Sequence, residues 1–154
     1  MIDFRILTRE AVGPLAALKV SVTQNKFCSS NLMTMAEASF EPGSTVYGMW
    51  DGDAAVGLLA IIDKAHPCAI LGEYEEANSL YIWRLMVDKD KQGKGFGRAA
   101  LDFSKSLALK KRRLYLSLLV LDEPGGARLM YEAFGFRPTG NIVNGEIQML
   151  LSLG

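Results

Sequence analysis

The chain has 154 residues, with 17 basic and 17 acidic side chains, a length that suits one domain spanning 1–154 with a core that needs no disulfide or metal staple. Charge balance excludes a general electrostatic pull toward nucleic acid or an anionic membrane, so any charged partner has to be recognised locally. The apolar runs stop short of about 18 residues, and Met1-Ile-Asp-Phe-Arg lacks the basic-then-apolar layout of a signal peptide, which together predict a cytoplasmic protein.

In chain order, Asp3-Phe-Arg-Ile-Leu alternates as a strand, and Thr8, Glu10 and Pro14 predict a helix running to about Val22. Leu32, Met33, Met35, Ala36 and Phe40 predict a second helix that begins at Ser30 or Asn31, with its methionines in the core. Segments 45–50 and 54–62 flank Asp51-Gly52-Asp53 and read as a hairpin. Residues 63–79 are a loop whose Glu73, Glu75 and Glu76 read first as a solvated face. Cys28 and Cys68 lack metal-ligand spacing and His66 stands alone, so structural thiols and no metal are expected.

Residues 80–87 are apolar and rich in β-formers, a strand covered on both faces. Gln92-Gly93-Lys94-Gly95-Phe96-Gly97 follows, and then a helix with small or apolar Ala100, Leu101, Ser104, Leu107 and Ala108. Glycines before a helix N-terminus let free amides approach an anion, and Lys94 and Arg98 add positive charge. A nucleoside-triphosphate loop would need Ser or Thr after Lys94, where Gly95 stands. A dinucleotide fingerprint would need an acidic residue near 115–117, where there is none. Downstream, residues 113–121 read as a buried strand parallel to 80–87, Pro124 opens a helix that Gly135 stops, and Asn144-Gly145 joins two final strands.

The loop, together with the strand end Leu85-Met86-Val87-Asp88 before it, resembles the acyl-CoA pyrophosphate loop of the GNAT superfamily of N-acetyltransferases, Gln/Arg-x-x-Gly-x-Gly/Ala. Ala127-Arg-Leu-Met-Tyr131-Glu-Ala-Phe-Gly135-Phe136 resembles that family's second motif. Within the superfamily, the stretch from Arg84 and the C-terminal Asn144-Gly145-Glu146 are similar to bacterial spermine/spermidine acetyltransferases.

The resemblance implies an α/β GNAT fold: a mixed sheet of about seven strands, helices on both faces, and a wedge between strands four and five. It implies acetyl-CoA as co-substrate, bound by the backbone of Leu85, Met86 and Val87 and by Gln92, Gly93, Lys94, Gly95, Phe96, Gly97 and Arg98. It implies an amine acceptor, a polyamine first, with another small amine or a protein N-terminus as alternatives, and a homodimer paired through its C-terminal strands. Read from the residues, Glu73, Glu75 and Glu76 would attract a cationic acceptor where their loop curls over the cleft. Arg84, a charge in an apolar strand, either binds an acidic acceptor or, more commonly for such a residue, pairs with a neighbour. Tyr131 occupies the position of the family's proton donor; a phenol, titrating near about 10, stays protonated while thiolate charge develops. Two positions depart from the pattern. Pro124 stands where the second motif often has Asn, and the strand 80–87 offers no carboxylate to take the amine's proton, which leaves either Glu73, Glu75 or Glu76 from the loop or an amine that arrives deprotonated after desolvation.

Overall fold

The computed structural model describes residues 2–19 and 30–154. Seven strands, β1 (Ile2–Ile6), β2 (Ser44–Asp51), β3 (Ala54–Asp63), β4 (Ser79–Val87), β5 (Tyr115–Val120), β6 (Arg137–Val143) and β7 (Glu146–Ser152), form one sheet in the order β1-β2-β3-β4-β5-β7-β6. Every neighbouring pair is antiparallel except β4 and β5, which run parallel. Four helices accompany them among the described residues: α1 (Val12–Ala16), α2 (Asn31–Ala38), α3 (Phe96–Lys110) and α4 (Arg128–Phe134).

The two faces of the sheet bury separate apolar clusters. On one, Ala100, Leu101 and Ala108 of α3 and Tyr131 of α4 pack with Leu80, Ile82, Leu116, Leu118, Val120 and Met149 around Phe136. On the other, Leu15 of α1 and Met35 of α2 meet Val46, Leu58, Ala60 and Met86. Helix α3 forms because its buried positions recur along one stripe, and Ser104 satisfies its own buried hydroxyl by donating to Ala100 O at 2.8 Å.

The hairpin expected around Gly52 is present, with Gly52 at φ 62 and only Gly52-Asp53 between β2 and β3. Ser30 caps α2 by accepting from Met33 N at 3.1 Å, as its hydroxyl and position suggested. The first helix differs from expectation. A single 3-10 turn at Arg9–Ala11 leads into a five-residue α1 that ends at Ala16; residues 17–19 leave the helix as a turn and irregular chain, and residues 20–22 of the predicted span lie outside the described residues, as does Cys28. Pro124 does not open α4 either. Gly125 takes φ 83, a left-handed turn that no helix can contain, so the helix begins at Arg128. Its end is where the sequence put it: Gly135, at φ 123, lets its own amide and that of Phe136 donate to Tyr131 O at 3.2 and 3.0 Å. Among the described residues no helix is long and apolar enough to cross a membrane.

Candidate active site

Strands β4 and β5 are neighbours over four residue pairs only, from Ser79 opposite Tyr115 to Ile82 opposite Leu118. Beyond that point they part. The cause is visible on the other edge of β4, where Ala60 faces Arg84 and Ile61 faces Ile82, leaving Trp83 as an extra residue. Such a bulge bends the strand and shifts its alternation by one. Leu80 and Ile82 therefore face α3, whereas Arg84 and Met86, which an unbroken alternation would put beside them, face α1 and α2.

The gap is a cavity of about 560 Å³, bounded by residues 82–87 of β4, by 119–121 at the end of β5, by the glycine loop and by Tyr131. Gln92, Gly93, Gly95, Phe96, Gly97 and Arg98 all line it. Gly93 and Gly95 adopt φ 76 and 84 with open space where a Cβ would stand, so the loop's shape rests on their backbone freedom. Gln92 ties the loop to the strand, donating from Nε2 to Val87 O at 3.1 Å. The loop ends on α3, whose first amides have no carbonyl within the helix to bond and carry the positive end of its dipole. Arg98 lies over the Phe134 ring, 4.8 Å from its centroid, and reaches Asp102 at 3.6 Å.

Lys94 is exposed and does not line the cavity; Lys91, which sequence reasoning passed over, does. Tyr131 is buried, its ring meeting Phe136 edge-on at 5.9 Å. Arg84 is also buried, and its Nη2 donates to Asn31 Oδ1 at 2.9 Å while Asn31 Nδ2 donates to Leu15 O at 2.9 Å. That asparagine, with Thr34 at the cavity wall, brings α2 to the site.

The acidic loop lies elsewhere. Glu73 and Glu75 line a second cavity of about 280 Å³, together with Tyr74, Tyr81, Ser117, Asn144 and Gln148, and Glu76 lines neither. Glu75 is already engaged: it meets the buried Lys64 ammonium at 2.8 Å and accepts from Gly72 N at 2.8 Å. Lys64 in turn lies 5.4 Å from the Tyr81 ring centroid. Tyr81 lines the second cavity, and burial, with the Glu146 and Glu75 carboxylates near it, pushes its phenol well up.

Glu146 was not singled out for chemistry by the sequence, yet it lines the wedge cavity. Burial raises its carboxyl above the ordinary glutamate range. Its hairpin was legible from Asn144-Gly145, but the face on which it would fall depended on a register that the sequence does not state. Among the described residues no group of three or more His, Cys, Asp and Glu is placed to hold a metal.

Parted parallel strands with a glycine loop at a helix N-terminus match a known family. A model described as an acetyltransferase (GNAT) domain covers residues 42–138, more than half the chain. The chain belongs to the GNAT acetyltransferase family. Solved structures share its fold from end to end. A GNAT acetyltransferase from Staphylococcus aureus Mu50 is 16% identical with TM-score 0.72 and 100% of both chains covered. A PaiA N-acetyltransferase from Thermoplasma acidophilum, in complex with coenzyme A, is 15% identical with TM-score 0.71 and 99% of each chain covered. A ribosomal-protein alanine N-acetyltransferase from Escherichia coli is 16% identical with TM-score 0.71, covering 100% of this chain and 95% of its own. No curated protein matches the sequence.

Proposed function

We propose that this acetyltransferase moves the acetyl group of acetyl-CoA to a primary amine by direct attack, both substrates meeting in the wedge between β4 and β5. The observation that carries the reading is the separation of the two strands beyond Ile82 and Leu118, which opens a cavity that runs from the glycine loop to Tyr131. An extended amide-bearing chain laid against a strand edge gains main-chain hydrogen bonds, and the backbone of Leu85, Met86 and Val87 lines that edge. Gln92, Gly93, Gly95, Phe96, Gly97 and Arg98 would hold the pyrophosphate through the loop amides and the α3 dipole. The open space at Gly93 and Gly95 suits so close an approach. Lys94, exposed beside the loop, acts there only as a diffuse charge.

When bound, acetyl-CoA supplies the activated thioester. Tyr131 reaches the cavity from α4 and donates its phenolic proton to the sulfur as the C–S bond breaks. The amide groups of β4 polarise the carbonyl as its oxygen gains charge. Pro124 replaces a polar side chain in the turn before α4, and Gly125, Gly126 and Ala127 bring backbone to the cavity there instead.

A polyamine acceptor draws on the second cavity. Glu73 is exposed at the mouth of the second cavity, where Tyr74 and Tyr81 add aromatic surface for a cation. Glu75 is paired with Lys64, so one of the three loop carboxylates remains to attract a second ammonium there. Arg84 is held by Asn31 and serves to shape the acceptor side. Calorimetric titration with acetyl-CoA, followed on the same sample by thiol release over a panel headed by spermidine and spermine, tests the proposal. Binding with amine-dependent release is expected. Binding without release on any amine would leave an acyl-CoA-binding module and overturn it.

A further inference from the structure

Acetyl transfer to a protonated amine has to remove two protons from nitrogen, and Tyr131 accounts for only the one that reaches sulfur. Among the described residues that line the wedge cavity, Glu146 is the single carboxylate. Its placement follows from register. Ile147 faces Val120, the last residue of β5, so Glu146 stands just past the end of that strand, after the left-handed turn at Asn144 and Gly145. Leu118, Val120 and Met149 point into the cluster under α3 and α4, and Ile147 packs against it. Strand alternation then sends Glu146 and Gln148 to the opposite face. Tyr131 rises from α4 on the first face. The proton donor and this carboxylate therefore border one cavity from opposite sides of the sheet.

We propose that Glu146 is the general base of the transfer, taking a proton from the acceptor's ammonium on the sheet face opposite Tyr131. This rests on the reading of the site as an N-acetyltransferase. The ammonium gives one proton to the Glu146 carboxylate. The neutral nitrogen then attacks the thioester carbonyl carbon; the C–N bond forms and the C–S bond breaks. The Tyr131 proton passes to sulfur, and the second nitrogen proton, carried by water, restores the phenol. One amide and one thiol result, and Glu146 releases its proton to solvent.

The surroundings favour this role. Burial lifts the Glu146 carboxyl toward the range in which a base accepts a proton from an ammonium with less penalty. Tyr81 of β4 lies within reach of its charge, and the other titratable or charged groups on the same cavity are Arg84 of β4, Tyr131 of α4, Arg98 of α3 and Lys91 of the preceding loop. The carboxylate also gives the acceptor's ammonium a counter-charge at the reaction point, an assignment that the strand 80–87 alone could not provide.

The test compares wild type with Glu146→Gln, using spermidine and n-butylamine as acceptors, with acetyl-CoA affinity followed by calorimetry and folding by thermal melting. Glutamine keeps the shape and removes the base. The variant is expected to bind acetyl-CoA as wild type does and melt within a few degrees of it. It should lose about 100-fold in kcat/KM near pH 7, a loss that shrinks to about tenfold near pH 9.5 as the amine arrives neutral. A structural defect would not narrow with pH. Equal turnover, or a loss constant across pH, overturns the assignment of Glu146 alone. A wild-type protein that binds acetyl-CoA and releases no thiol with any amine overturns the transferase reading with it.

Discussion

Ile82 and Leu118 are the last residues at which β4 and β5 lie side by side, and the next residue along β4, Trp83, is the one that the antiparallel partner β3 leaves unmatched. The bulge and the parting of the strands are thus adjacent events. One extra residue on one edge opens the other edge, and the opening is the cavity proposed as the site.

Replacing Tyr131 by Phe removes a hydroxyl and keeps the ring that packs on Phe136 at 5.9 Å. Turnover with any competent amine should fall by roughly 100-fold, within the range that general acid catalysis supplies. Acetyl-CoA affinity, measured by calorimetry, should stay within about twofold. Unchanged turnover would remove Tyr131 from the proton path.

Gly95→Ala tests the loop separately from the chemistry. A methyl group there meets no atom within 4 Å, but the backbone sits at φ 84. Leaving the left-handed region is worth roughly 1 to 2 kcal/mol to an alanine, and doing so turns the loop amides. Acetyl-CoA affinity should weaken by about tenfold with the melting temperature little changed, since loop strain is local. An unaltered dissociation constant would show that the loop does not hold the co-substrate.

Asn31→Ala tests the link between α2 and β4. The substitution deletes both the 2.9 Å acceptor for Arg84 and the 2.9 Å donor to Leu15 O. Both partners are buried, so the cost should be roughly 2 to 3 kcal/mol in urea unfolding. A loss below about 0.5 kcal/mol would mean that water replaces the amide.

Asp63 and Arg113 form a two-toothed pair at 2.8 and 2.9 Å that clamps the end of β3 to the segment before β5. The Arg113 hydrogen bond holds the Asp63 carboxyl below the usual range, outweighing burial, with further lowering from Ala65 N and from the Arg113 and Lys111 charges. A carboxyl depressed in the folded state stabilises above its unfolded pKa, near about 3.9, and that contribution is lost as pH falls through the folded value. Asp63→Asn should therefore cost about 1 to 2 kcal/mol at neutral pH, and the gap from wild type should close below about pH 4. A gap that persisted in acid would assign the cost to shape rather than charge.

The fold was legible because its signals are local. Residues 80–87 are apolar throughout, Gly93, Gly95 and Gly97 punctuate the start of a regular helix, and Asn144-Gly145 fixes a hairpin. Pro124 misled because a proline suits the first turn of a helix, and only the glycines after it say that the chain turns instead. Glu146 was hidden for a different reason. Its place at the cavity depends on the pairing of β7 with β5 and on strands parting far away in sequence, neither of which any window of residues encodes. The acidic run at 73–76 was conspicuous in sequence and peripheral in space, because Lys64, nine residues before Glu73, answers Glu75.

Gln148 holds the acidic loop from beneath, donating to Tyr74 O at 2.7 Å while its own oxygen accepts from Thr139 and Asn141 at 2.8 and 3.0 Å. Together with the Lys64–Glu75 contact, this fastens residues 72–75 to β7 and to the end of β3, and none of these ties involves the glycine loop, α3 or α4. The loop is in that sense a replaceable fitting. Substitutions within it can reshape the second cavity while leaving the glycine loop, α3 and α4 as they stand.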